Sequence, residues 1–169
     1  MMWNISLWDF AVSFYQEPDV KEQCLLLQDA CDADIPLVIF ALWLSTQAVR
    51  LEPADWRQVF IDLDLWRSDV IKPLRHVRKK LKKGPPPAPC TATNELREMI
   101  KLAELNAEKI ELTYLESQAV NKKIAQPFDP HELAKFNLEQ ILICFSYDQN
   151  PTLIKDAAYI FLERLRAYS

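Results

Sequence analysis

Gly84 is the only glycine in this chain of 169 residues, where average usage of roughly 7% would place about a dozen. Tight hairpins, phosphate-cradling loops and nucleophile elbows need backbone at positive φ or a close ligand approach, which glycine normally supplies. The Rossmann, P-loop and α/β-hydrolase classes are therefore excluded, and no segment reads as a convincing strand. The 11 prolines point to helices by where they stand. Proline fits the first helical turn and is expelled from the interior. Pro36, Pro53, Pro130 and Pro151 each follow a capping residue, namely Asp34, Glu52, Asp129 and Asn150, and so mark helix starts. Asp129-Pro130-His131-Glu132 and Asp19-Val20-Lys21-Glu22 place an acid three residues after the cap, in the manner of a capping box.

Apolar periodicity from these starts predicts helices over Ser6 to Gln16, Asp19 to Ala33, Pro36 to Val49, Pro53 to about Ile61, and about Leu65 to Lys83. Pro73 should kink or split the last of these. Pro36 to Val49 is hydrophobic nearly all round and belongs at the centre of a bundle. Gly84-Pro85-Pro86-Pro87-Ala88-Pro89 cannot continue a helix and reads as a polyproline II connector, a stiff linker before it is a PxxP ligand. Asn94 to about Ala125 follows as the longest helix, with one apolar stripe through Leu96, Ile100, Ala103, Ala107, Ile110 and Tyr114. A second runs through Leu102, Leu105, Leu112 and Ala119. Two stripes imply packing on two sides, or one intramolecular face and one partner face. Pro130 to Tyr147 and Pro151 to Tyr168 complete the pattern. The expected fold is all-α: a single domain, 1–169, forming an irregular bundle of seven or eight helices. A proline-rich connector at 84–93 would join an N-terminal subassembly, 1–83, to a C-terminal one, 94–169.

Half of the residues are hydrophobic and 26% are charged, a balance that supports a folded core and not global disorder. Cys24, Cys31, Cys90 and Cys144 lack CxxC spacing, and only two histidines accompany them, so a structural zinc site lacks its usual ligands. Cys24 and Cys31 lie about 10 Å apart along one helix axis, too far for a disulfide. Free, mostly buried thiols in a reducing cytosol are expected. No signal peptide is evident, and the longest apolar run, Ile35 to Leu44, is about half of what spans a bilayer. A cytoplasmic protein without a transmembrane segment follows from these signs.

Charge is distributed unevenly. Residues 67–83 hold eight Lys or Arg against one acid, Asp69, a local net charge of +7 in a chain of net charge −4. Residues 1–66 carry 3 basic and 11 acidic side chains. Such asymmetry suggests a surface adapted to an anionic partner, whether an acidic protein, a nucleic acid or an anionic surface. Leu74, Val77 and Leu81 would anchor one side of the helix, leaving Arg75, Arg78, Lys79, Lys82 and Lys83 to face outward as partner-binding residues. The bland alternative is a solvated face, and the acidic N-terminal half could also neutralise the charge internally.

The enzyme-like constellations are weaker. Asp29, Asp32 and Asp34 could hold Mg²⁺ for a phosphorylated or diphosphate substrate, with Asp62 and Asp64 a thin opposing cluster. Capping of the helix junction explains the same acids more simply. Glu104, Glu108 and Glu111 align on the long helix, but neither His76 nor His131 supplies the Glu-x-x-His motif of di-metal bundles, so solvated glutamates beside Lys101 and Lys109 are expected. Trp3, Trp8, Trp43, Trp56 and Trp66 sit at apolar positions and should fill the core. No catalytic residue, metal site or cofactor is assigned.

Leu7-Trp8-Asp9-Phe10, Tyr15, Pro18, Cys24-Leu25, Leu27-Gln28-Asp29, Phe40 and Leu42-Trp43-Leu44, with Pro73-Leu74-Arg75 and Arg78, resemble a family of small proteobacterial proteins of unknown function. The resemblance is clearest over residues 6–83, and the Ala103-Glu104-Leu105 and Ala107-Glu108 region is compatible with it. It implies a small helical protein in a bacterial cytoplasm and nothing mechanistic. The reading reached from sequence is a non-enzymatic interaction protein that uses the basic helix.

Overall fold

The computed structural model describes residues 5–119, 122, 129–142 and 150–168. Its helices are α1 (Leu7–Tyr15), α2 (Pro18–Cys31), α3 (Ile35–Thr46), α4 (Pro53–Trp66), α5 (Lys72–Lys83), α6 (Thr91–Ala119), α7 (Pro130–Leu142) and α8 (Pro151–Leu165). A π-helical turn, Arg67–Ile71, joins α4 to α5, and a 3₁₀ turn, Arg166–Tyr168, follows α8. The described residues contain no β-strand. The fold is therefore all-α, with eight α-helical segments, or seven if α4 and α5 count as one arm. The expected helix ends at Ala125 and Tyr147, and the positions of Trp3 and Cys144, lie outside the described residues.

The chain divides into two compact units: residues 1–56 with 112–169, and residues 57–111. The proline-rich segment 84–93 lies within the second.

In the first unit, capping side chains start the helices much as the prolines suggest. Ser6 Oγ accepts from the Asp9 N–H, Asp34 Oδ1 from Leu37 and Asp129 Oδ1 from His131, each satisfying a donor the helix leaves open. Two starts differ from expectation: Asn150 precedes α8 but makes no side-chain capping bond, and α2 starts earlier than Asp19. Pro18 occupies the first turn of α2 after Glu17, and Asp19 sits inside it, because Pro at the first helical position sets the entry before a capping box can form. Helix α3 buries eleven of its 12 residues. It packs on α7, α1 and α2, while α8 packs on α2 and α7. Phe40 stands at its middle, fully buried, with ring contacts to Trp43 and Trp56. Phe10, Phe14, Phe161 and Tyr168 form a second aromatic group. The amide of the buried Asn137 donates to the carbonyls of Ala41, within α3, and Val49, just after it.

The second unit is built on a helical arm, α4 from Arg57 onward with the π turn and α5, and on α6 as far as Glu111. The π turn has a direct cause. Pro73 has no N–H to give to the carbonyl four residues back, and one wider turn, in which the Lys72 N–H bonds to the Arg67 carbonyl, absorbs the mismatch. The arm neither breaks nor ends there. Lys83 closes α5, and Gly84 takes φ 93°, a region that side chains avoid. An added Cβ at Gly84 would lie 2.6 Å from the Ala88 carbonyl oxygen. The proline-rich segment is not the extended polyproline II rod that the sequence suggests. The Ala88 N–H bonds to the Pro85 carbonyl, forming a turn, whereas polyproline II has no internal hydrogen bonds. Helix α6 begins at Thr91, three residues before the expected Asn94. The Thr93 hydroxyl accepts from the Cys90 N–H, which satisfies a donor at the helix entry and allows the start at Thr91.

Candidate functional site

Helix α5 carries most of the basic segment and buries none of its residues. Leu74 and Leu81 are half-buried, and Val77 is exposed. The five charged residues assigned to partner binding separate into two groups. Lys79, Lys82 and Lys83 are exposed, as are Lys72 and Lys80 on the same helix. Arg75 and Arg78 turn inward, their side chains 12% and 22% exposed.

What holds the arginines lies on α6. Arg75 Nε donates to Glu104 Oε1 and its Nη2 to Glu108 Oε1, both at 2.9 Å. Arg78 Nε donates to Glu104 Oε2 and its Nη2 to Glu104 Oε1 at 3.2 Å. Glu104 thus receives both guanidiniums, and its side chain is 7% exposed. Such charge-assisted, forked bonds fix geometry as well as distance. Burial by itself would raise the Glu104 carboxyl, but the hydrogen bonds and charges of Arg78 and Arg75 outweigh it and hold the group below its ordinary value. Trp66, on the same arm, donates its indole N–H to the Ala107 carbonyl of α6 at 3.2 Å.

The expectation of solvated glutamates beside Lys101 and Lys109 is therefore corrected. Glu104 and Glu111 are buried and Glu108 is half-buried. They share the α6 face that carries Ala103 and Ala107, small residues that let a neighbouring arm approach. That was the available signal: carboxylates in line with a small-residue stripe face inward, and Arg75 and Arg78, three apart, supply the counter-charges of Glu104 and Glu108.

The other acidic candidates are capping and surface residues. Asp32 ends α2 in the left-handed region at φ 50°, Asp34 caps α3, and Asp29 is exposed. Asp62, on α4, accepts from Gln58. No group of three or more His, Cys, Asp or Glu side chains poised to hold a metal ion occurs among the described residues. Cys24 and Cys31 are buried free thiols, and burial pushes Cys24 up to about 12. Cys90 is exposed, so the expectation of mostly buried thiols holds for two of the three described; hydrogen bonding by Thr93 lowers its pKa.

No helix among the described residues is long and apolar enough to cross a membrane. No curated protein and no solved structure gives a significant match to this chain. A family model described as a protein of unknown function, DUF2390, matches residues 6–115, which spans α1 through most of α6 and includes every residue of the arginine–glutamate cluster. The chain belongs to this family of unknown function.

Proposed function

We propose that this protein is a non-enzymatic interaction protein whose helix α5 engages an anionic partner. The observation that carries the reading is that α5 buries no residue and, with Arg75 and Arg78 committed to Glu104 and Glu108, still exposes Lys72, Lys79, Lys80, Lys82 and Lys83. Lys79, Lys82 and Lys83 contact the partner, with Lys72 and Lys80 alongside; Arg75 and Arg78 position the helix. Exposed lysines act as mobile point charges. They suit phosphates or carboxylates without fixed geometry, so binding depends on charge density more than on sequence. A cytoplasmic setting fits this reading.

A pull-down of the full chain from cytosol, with and without nuclease, tests it against the Lys79/Lys80/Lys82/Lys83→Gln variant. Wild type should recover a partner that the variant loses. Loss on nuclease treatment identifies nucleic acid, and affinity for duplex DNA should then fall with salt at a log–log slope of about −0.9 per phosphate contacted. Retention of every partner by the variant would reduce the basic helix to a solvated face. An Mg²⁺-dependent enzyme working through Asp29 and Asp32 is the competing class. Micromolar Mg²⁺ or Mn²⁺ binding by calorimetry, lost in Asp29→Asn and Asp32→Asn, would favour it.

A further inference from the structure

Eight of the twelve large apolar side chains exposed among the described residues lie within 57–111. On α6 three of them gather on the side opposite the arginine-holding face: Met99 is 66% exposed, Leu102 61% and Leu105 47%. Glu95, Leu102 and Lys109 recur every seven residues and so lie along one line of the helix, and Glu95 and Lys109 are also exposed. Met99 and Leu105 flank that line. The stripe runs roughly 21 Å, at about 1.5 Å per residue. Its inward counterpart is Glu104, Ala107 and Glu111, all buried, so the stripe is a second face and not a frayed edge of the first.

The arrangement of charge says what covers it. We infer that α6 pairs with α6 of a second copy of this chain, antiparallel, about a two-fold axis at Leu102. In that register Leu102 meets its own copy, Met99 stands level with Leu105, and Glu95 stands level with Lys109 at both ends. Two ion pairs therefore close an apolar centre, the self-complementarity that an isologous two-fold contact requires. A parallel, in-register pairing would stack Glu95 on Glu95 and Lys109 on Lys109, and is opposed by charge. One helical stripe falls short of the roughly 1,000 Å² that marks a stable interface, so the dimer is weak, with a dissociation constant of about 10 µM or higher. This pairing uses none of the α5 lysines and stands or falls separately from their role.

Sedimentation velocity of the full chain, from about 1 µM to about 500 µM, should show a monomer–dimer equilibrium. Leu102→Glu brings two carboxylates together on the axis and should weaken association at least about a hundredfold. Glu95→Lys and Lys109→Glu should each weaken it, and the double exchange should restore it, because the swapped pair is again complementary. Leu102 and Glu95 are exposed, so at micromolar concentration the Leu102→Glu and Glu95→Lys variants should melt close to wild type and serve as the folding control. A protein that remains monomeric throughout, a Leu102→Glu variant that dimerises like wild type, or a double exchange that recovers nothing would overturn the pairing.

Discussion

The unit formed by 1–56 and 112–169 and the unit formed by 57–111 are held together by different forces. In the first, α3 is buried almost completely, and Phe40, Leu42 and Leu44 are shielded from water entirely. Its stability comes from apolar area removed from solvent and from close packing, which depend less on pH and moderate salt than ion pairs do. In the second, α5 buries nothing, and the arm is fixed by two guanidiniums on two carboxylates and an indole N–H on a carbonyl. The two also differ in charge. Residues 57–111 hold 12 basic and 8 acidic side chains, and the remainder holds 8 and 16. An apolar core tolerates loss of one contact gradually, whereas a charge cluster fails when one member leaves and the others stay buried.

The strongest way to break the comparison is within α3. Phe40→Ala leaves a cavity under Trp43 and Trp56 and should destabilise the first unit by about 3–5 kcal/mol. Urea unfolding followed by circular dichroism measures it. If the midpoint barely shifts, α3 is not the centre of that unit.

Next in size is Glu104→Ala, which takes the shared carboxylate away from two partly buried guanidiniums. The expected cost is roughly 3 kcal/mol, and it should fall on residues 57–111. Native-state hydrogen exchange should show protection lost across α5 and the facing part of α6, with α3 and α7 unchanged. Equal loss in both units would mean that the cluster is no local fastening.

Much of the first unit was legible in the sequence because its determinants are local. Asp34 with Pro36, Asp129 with Pro130, and the all-round apolar stretch of α3 each declare themselves within a few residues. The second unit was less legible because its determinants are pairwise and distant. Arg75 and Glu104 are 29 residues apart, and the one local hint, carboxylates in line with small residues on α6, does not say which basic side chains meet them. A charge count made along the chain sums Arg75 and Arg78 with the lysines, although only the lysines are exposed. The π turn was half legible: Pro73 announced a disturbance, but not that the helix would carry on by widening one turn. The proline-rich segment misled because composition suggests a rod, while Gly84 at positive φ makes room for a turn.

That turn gives a smaller, sharper test. Gly84→Ala places a Cβ against the Ala88 carbonyl oxygen in a backbone region that alanine avoids, and should cost about 1–2 kcal/mol. The effect should again appear as lost protection within 57–111. A neutral outcome would mean that the segment has other conformations of equal stability.

Acid separates the two units without any mutation. The Glu104 carboxyl is held below its ordinary value in the folded chain, so its contribution is fully present above the unfolded value of about 4.3 and is lost as pH falls through the folded one. Asp19 and Asp55 in the first unit are lowered as well, by Arg164 and Lys122, but those pairs are more exposed and yield to salt. Protection factors for α5 and the facing part of α6 should therefore decline below about pH 4.3 in moderate salt while those of α3 hold. Glu104→Gln should remove most of that decline, because the amide has no proton to gain. Were α3 and α5 to lose protection together, at the same pH and in the same proportion, ion pairing would not be what distinguishes the second unit from the first.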